Sequence, residues 1–374
     1  MNIYFLLFMV MPFVAMAYIG WHVWCLLPAA WGWKLTVILL MVASFVMLFA
    51  GIRRTTDTLP MPIATAVYEV GTSSIIVMLY LLMLFLVLDI GRLAHLLPRT
   101  LLYNNWYTTG GITLLMVGLF VYANQHYRHK YRESLTITTD KVEKPLRIVL
   151  MSDLHLGYHN QRDELHRWVD IVNQEHPDLI LIAGDIIDGS MRPLIEQRMH
   201  EEFHRLQAPV YACLGNHEYY SGEPDAQRFY EEAGIHLLRD STATVGAAAT
   251  AGGLTIIGRD DRTNPHRKSL AEIVASASHP SPLASRFTIL LDHQPHHLEE
   301  AEQQKIDFQF SGHTHHGQVW PASWVTEAIY ECAFGFHQRG DTRYYVSSGM
   351  GIWGGKFRIG TRSEYLVAEI RNKK

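Results

Sequence analysis

The sequence predicts a chain of two unlike parts: an all-α membrane domain of about four transmembrane helices, followed by an α/β domain. Three observations predict it. The first 127 residues hold four long runs without Asp, Glu, Lys or Arg. From about residue 134 onward, short apolar runs alternate with charged, helix-like segments, the pattern of an α/β architecture. Directly behind five of those apolar runs stand Asp, Asn or His. The expected boundaries are 1–127 for the membrane domain, 128–145 for a linker and 146–374 for the α/β domain.

The charge-free runs cover residues 1–33, 35–52, 70–88 and 100–127. Each accommodates the roughly 17–25 helical residues that cross a hydrocarbon core. Trp21, Trp24, Trp31, Trp33, Tyr103, Trp106, Tyr107, Tyr122 and Tyr127 lie near the run ends, as an interfacial aromatic belt requires. Gly110, Gly111 and Gly118 dilute the fourth run. Residues 15–17 resemble a signal-peptidase site, but no Lys or Arg precedes Lys34, so the first run is expected to stay as a span. Arg53, Arg54, Arg128, Lys130 and Arg132 fall on one side of the four spans, against Lys34, Arg92 and Arg99 on the other. This slight bias puts both the N-terminus and the α/β domain in the cytoplasm.

Residues 146–152, 178–184, 209–215, 254–258, 287–292, 308–312 and 344–349 read as strands buried on both faces. Residues 163–174 and 195–206 read as helices, and 245–253 as a hairpin or loop. The net charge of -4 gives no reason to expect a nucleic-acid partner. Cys25, Cys213 and Cys332 are odd in number and widely spaced, so no disulfide framework is expected.

The strand ends carry the chemistry. Asp153 and His155 follow the first strand, Asp185 and Asp188 the second, and Asn216, His217 and Glu218 the third. His293 follows the fifth, and His313, His315 and His316 the sixth. Ligands bind at the carboxyl ends of strands in open α/β sheets, so these residues are expected to converge. Imidazoles, carboxylates and one amide without a thiolate suit divalent ions, with Mn2+ the first candidate and Fe, Zn, Ni or Co the others. Asp153, His155, Asp185, Asn216, His293, His313 and His315 are too many for one tetrahedral ion. Two ions sharing a carboxylate would use them all, as a clamp for phosphoryl transfer.

In this order, D-x-H (153–155), G-D-x-x-D (184–188), G-N-H-E (215–218), a lone His293 and G-H-T-H (312–315) resemble the calcineurin-like metallophosphoesterase superfamily, over residues 146–370. Residues 347–370 resemble the terminal segment of a membrane-associated bacterial branch related to UDP-2,3-diacylglucosamine hydrolases. The resemblance implies a four-layer αββα sandwich and a place in the bacterial inner membrane. It implies that Asp153, His155 and His315 hold one ion, that Asn216, His293 and His313 hold the other, and that Asp185 bridges them. His217 would be the catalytic histidine and Asp188 an orienting group. His316 departs from the pattern, since relatives often have glycine there, and it is a candidate for substrate contact.

The expected activity is hydrolysis of a phosphoester or pyrophosphate, by attack of a metal-bridging hydroxide. The substrate expected beside a lipid bilayer is lipid-linked, such as UDP-2,3-diacylglucosamine, with acyl chains met by Trp320, Trp324, Trp353 and the segment 344–357. Two alternatives stand beside it: a membrane-anchored phosphoesterase acting on soluble nucleotides or phosphoproteins, and a non-enzymatic scaffold with a vestigial metal site. The complete ligand set and His217 argue against the scaffold.

Overall fold

The computed structural model describes residues 3–52, 54–245, 253–277 and 285–373. The chain forms two compact units, Met1–Asn124 with Gly354–Lys356, and Gln125–Trp353 with Phe357–Lys374. The charge-free runs become helices α1 (Ile3–Leu26), α2 (Trp31–Ile52), α3 (Met61–Leu93) and α4 (Trp106–Arg128). A helix satisfies its backbone polar groups internally, which hydrocarbon surroundings demand. Among the described residues, three segments, Trp31–Gly51, Met61–Leu93 and Trp106–Arg128, are long and apolar enough to cross a membrane; the apolar stretch Val10–Leu26 of α1 is shorter. Ile19, Phe45, Met78 and Phe85 pack the core of this unit. At 33 residues, α3 outruns its charge-free stretch. It does so by pairing Asp89, which accepts from the Tyr18 hydroxyl at 2.8 Å and lies 3.0 Å from His22 Nε2.

The second unit holds two mixed six-stranded sheets. Its strands are β1 (Lys130–Thr139), β2 (Leu146–Met151), β3 (Leu179–Ala183), β4 (Val210–Cys213), β5 (His236–Leu237) and β6 (Ser241–Val245), then β7 (Leu254–Gly258), β8 (Phe287–Leu291), β9 (Phe308–Ser311), β10 (Gly335–Arg339), β11 (Thr342–Val346) and β12 (Ser363–Asn372). One sheet has the order β1-β12-β2-β3-β4-β5 and the other β10-β11-β9-β8-β7-β6. Its helices are α5 (Arg162–Gln174), α6 (Arg192–Glu196), α7 (His200–Phe203), α8 (Asn216–Ser221), α9 (Glu223–Glu232), α10 (Leu270–Ser276), α11 (Leu298–Gln303) and α12 (Ala322–Ile329).

Alternation along each strand builds the layers. Ile148, Leu150 and Leu181 face Ile256, Ile289 and Phe308 between the sheets. Val149, Ile180 and Ile182 face the opposite way, onto Trp168 of α5 and Phe229 of α9. Ile257, Leu290 and Tyr344 face away from the inter-sheet core onto Ile273 of α10 and Leu298 of α11. The result is the expected four-layer αββα sandwich.

The structure departs from the sequence reading in two places. Residues 130–139, expected within the linker, form β1, which pairs in parallel with β12 along its whole length. The helix expected over 195–206 is split into α6 and α7, because Arg198 between them takes a left-handed φ of 48° that a continuous helix excludes. Residues 246–252 of the expected hairpin or loop lie outside the described residues.

Candidate metal centre

The turns after β2, β3, β4, β8 and β9 bring Asp153, His155, Asp185, Asn216, His217, His293, His313 and His315 together. Among the described residues, three groups offer potential ligand atoms that lie within 4.8 Å of one another: Asp153, His155 and His315; His155, Asp185 and His217; Asp185, His293 and His313. Asp185 Oδ2 stands 3.7 Å from His155 Nε2 and 3.1 Å from His293 Nε2, between two of the groups. Asn216 Oδ1 lies 2.8 Å from His313 Nδ1. Asp188 is beside the cluster, with Oδ1 3.3 Å from His155 Nδ1.

The polar atoms present fit cations. His293 Nδ1 donates to the Ala183 carbonyl at 2.7 Å, which leaves Nε2 with a lone pair pointing at the Asp185 carboxylate. Two electron-rich groups held this close need a proton or a cation between them, and this buried Nε2 has no hydrogen-bond partner. His155 and His315 repeat the problem, their Nε2 atoms facing each other at 3.0 Å. Burial pushes His313 down to about 4, with His293 adding to the effect, and pushes His315 down to about 3. Both rings are therefore neutral and offer lone pairs, the form a metal ion requires. Burial opposes charge on Asp153 and Asp185 too, but the surrounding histidines hold both carboxyls below the usual range. His155 and His293 are the exceptions. Burial works against charge on both, yet Asp153 and Asp188 raise His155 to about 10 and Asp185 raises His293 well above its ordinary value, so cation binding there must release a proton from each ring.

Backbone strain is concentrated at the site. Asp153, His155, Asp185, His313 and His315 take φ values of 54°, 46°, 52°, 71° and 49°, in the left-handed region. Such residues cost on the order of 1–3 kcal/mol each and persist only where the surroundings over-determine them. Two glycines make the close approaches possible. A Cβ on Gly215 would stand 2.1 Å from Asp185 Oδ1, and one on Gly312 would stand 2.3 Å from Asp153 Oδ2.

Several supporting residues had no role in the motif-based reading. Glu218, fully buried, accepts from the backbone N–H groups of Gly215 (2.7 Å), Asp185 (3.0 Å) and Ile187 (3.0 Å), tying the turns after β3 and β4 together. Burial, then the charge of Asp185, pushes Glu218 up to about 7. Its position three residues beyond Gly215 was a capping signal. Arg358, also buried, donates to the His315 carbonyl at 2.7 Å. Asn160 donates to the carbonyls of Leu154 and His155 at 3.1 Å each, and accepts from the Tyr127 hydroxyl at 2.6 Å. Nothing local in the sequence marks Arg358 or Tyr127 for these roles.

His217 donates its backbone N–H to Asp185 Oδ1 at 2.9 Å, and its ring Nδ1 is hydrogen-bonded to the Asp188 carbonyl. With Nδ1 as donor, Nε2 is left to exchange a proton. His316 points elsewhere, to Glu327 Oε1 at 3.0 Å, with its ring stacked on Phe334 at 4.6 Å. Asp292 is held by Arg259 and Arg267, each at 3.2 Å, and is structural.

The comparisons agree with this geometry. An uncharacterized metallophosphoesterase of Campylobacter jejuni is 29% identical over 269 residues, covering 70% of this chain and 70% of that protein. An uncharacterized metallophosphoesterase of Helicobacter pylori is 31% identical over 248 residues, covering 66% of this chain and 65% of that protein. A protein of Danio rerio named "Transmembrane protein with metallophosphoesterase domain" is 32% identical over 232 residues, covering 59% of this chain and 52% of that protein. The family model described as calcineurin-like phosphoesterase matches residues 146–317, the stretch that supplies every residue of the cluster. This chain therefore carries a calcineurin-like metallophosphoesterase domain.

Proposed function

We propose that the protein is a membrane-anchored phosphoesterase or pyrophosphatase working through two divalent cations, with Mn2+ the first candidate. The observation that carries this reading is the convergence of seven candidate His, Asp and Asn ligands, with Asp185 between the two halves. Asp153, His155 and His315 would hold one cation, Asn216, His293 and His313 the other, and Asp185 both. When bound, such a pair supplies an activated water and neutralises charge on the phosphoryl oxygens. The chain's own groups do the rest. Glu218 and Asn160 fix the ligand turns. Asp188 holds the His155 ring and, through its carbonyl, the His217 ring. His217, in its protonated form, stabilises the transition-state charge or donates a proton to the leaving oxygen.

The substrate we propose is a lipid-linked phosphoester, UDP-2,3-diacylglucosamine being the named candidate. Three membrane-capable helices support this choice, because they keep the catalytic unit beside a bilayer. The test compares hydrolysis of UDP-2,3-diacylglucosamine with that of bis-p-nitrophenyl phosphate and cyclic nucleotides, using full-length protein in detergent with Mn2+. Preference for the soluble compounds ends the lipid assignment and leaves the phosphoesterase. We also propose that the catalytic unit faces the cytoplasm of a bacterial cell. A reporter fused after Lys374 that is active only in the periplasm overturns that orientation.

A further inference from the structure

Helix α12 has its amphipathic character inverted. Over its eight residues, Ser323 alone is buried. At 100° per residue, Trp324, Val325, Ala328 and Ile329 fall within one arc of about 140°, a continuous apolar face. That face points outward: Trp324, Val325 and Ile329 are 61%, 59% and 61% exposed. The small residues turn inward because backbone meets backbone there. A Cβ on Gly317 would stand 2.3 Å from both Ala322 C and Ser323 N. Gly317 lies two residues after His315, so the inner face of α12 braces the turn that carries a proposed metal ligand. The helix has one charged residue, Glu327, and His316 holds it at 3.0 Å.

A face of this composition is costly to leave in water, and its chemistry indicates what covers it. The chain provides a bilayer. The membrane-capable helix α4 ends at Arg128 and β1 begins at Lys130, so a single residue separates a proposed span from the catalytic sandwich. Trp320 and Trp324, in edge-to-face contact at 5.3 Å, are the residue type that collects at membrane–water interfaces.

We infer that α12 is an interfacial membrane-docking element: Trp324, Val325 and Ile329 enter the headgroup–acyl boundary of the bilayer that the chain spans. This inference rests on the reading that α4 crosses a membrane. It deepens the substrate reading, because docking through α12 delivers a lipid-borne phosphoester beside the turn of His313 and His315.

The test uses the full-length protein in lipid nanodiscs. Cys25 is replaced by Ser, while Cys213 and Cys332 are buried and stay. Single cysteines are placed by Val325→Cys, by Leu114→Cys on α4 and by Arg228→Cys on α9, and labelled with a nitrobenzoxadiazole dye. The readout is loss of emission when spin-labelled (doxyl) phospholipid is built into the disc. The expected result is quenching at position 325 comparable to that at position 114, with none at position 228. Quenching at 114 but not at 325 overturns the inference alone. No quenching at 114 overturns the membrane reading beneath it. Disulfide cross-linking of two copies of the Val325→Cys variant through the introduced thiols, without lipid quenching, assigns the face to a second copy and also overturns the inference. None of these readouts depends on phosphoesterase activity.

Discussion

Tyr127→Phe tests whether the last turn of α4 holds the loop of Asp153 and His155 in register. The Tyr127 hydroxyl donates to Asn160 Oδ1 at 2.6 Å, and both residues are fully buried. The other end of the Asn160 amide holds the carbonyls of Leu154 and His155, the stretch between two proposed ligands. Removing the hydroxyl leaves a buried acceptor without a partner, which costs about 1–3 kcal/mol. For a unit of this size each kcal/mol lowers Tm by about 2–4 °C, so a drop of roughly 2–12 °C is expected. Groups that orient metal ligands typically carry about 10–100-fold in metal affinity, so Mn2+ binding should weaken toward that range. The assay is thermal unfolding of the full-length protein, without metal and across a Mn2+ titration, next to Tyr127→Leu as a variant that also loses ring packing. Tyr127→Phe with unchanged Tm and unchanged Mn2+ affinity would refute the bracing argument.

Glu218→Gln offers one acceptor oxygen where three backbone N–H groups need two, so it should lose about 1–3 kcal/mol for the stranded donor, read as a lower Tm. The loss should be larger in metal-loaded than in metal-free protein, because without cations the substitution also relieves repulsion between Glu218 and Asp185. His217→Ala should cut turnover on bis-p-nitrophenyl phosphate by about 10²–10⁴-fold while bound metal, by elemental analysis, stays the same; metal loss would make His217 a ligand. Gly312→Ala should abolish metal binding at the Asp153 side, since its Cβ would displace that carboxylate; a variant that binds metal normally contradicts the close approach.

Much of the site was legible because its signals are local. Seven apolar runs became β2, β3, β4, β7, β8, β9 and β11, since a strand covered on both faces writes its burial into consecutive residues. Asp153, Asp185, Asn216, His293 and His313 stand directly behind such runs, so their convergence followed from strand order. What the sequence hid is non-local. Strand β1 lies at a sheet edge with a half-exposed pattern, and its charged Arg132 and Glu133 hide it among linker residues. Its partner β12 is more than two hundred residues away. The left-handed backbone at five proposed ligands is imposed by the packing of the turns and has no sequence mark beyond the residue types. Arg358 reaches His315 from 43 positions downstream. Trp324 was expected from the sequence to meet acyl chains, but its place on the outward face of α12 is visible only in the structure.

Metal stoichiometry tests the account most directly. Elemental analysis of the full-length protein, saturated with Mn2+ and desalted, should find two ions per chain, and Asp185→Ala should lose both. One ion or none in the unaltered protein, or two still bound after Asp185→Ala, would contradict a paired centre built around Asp185.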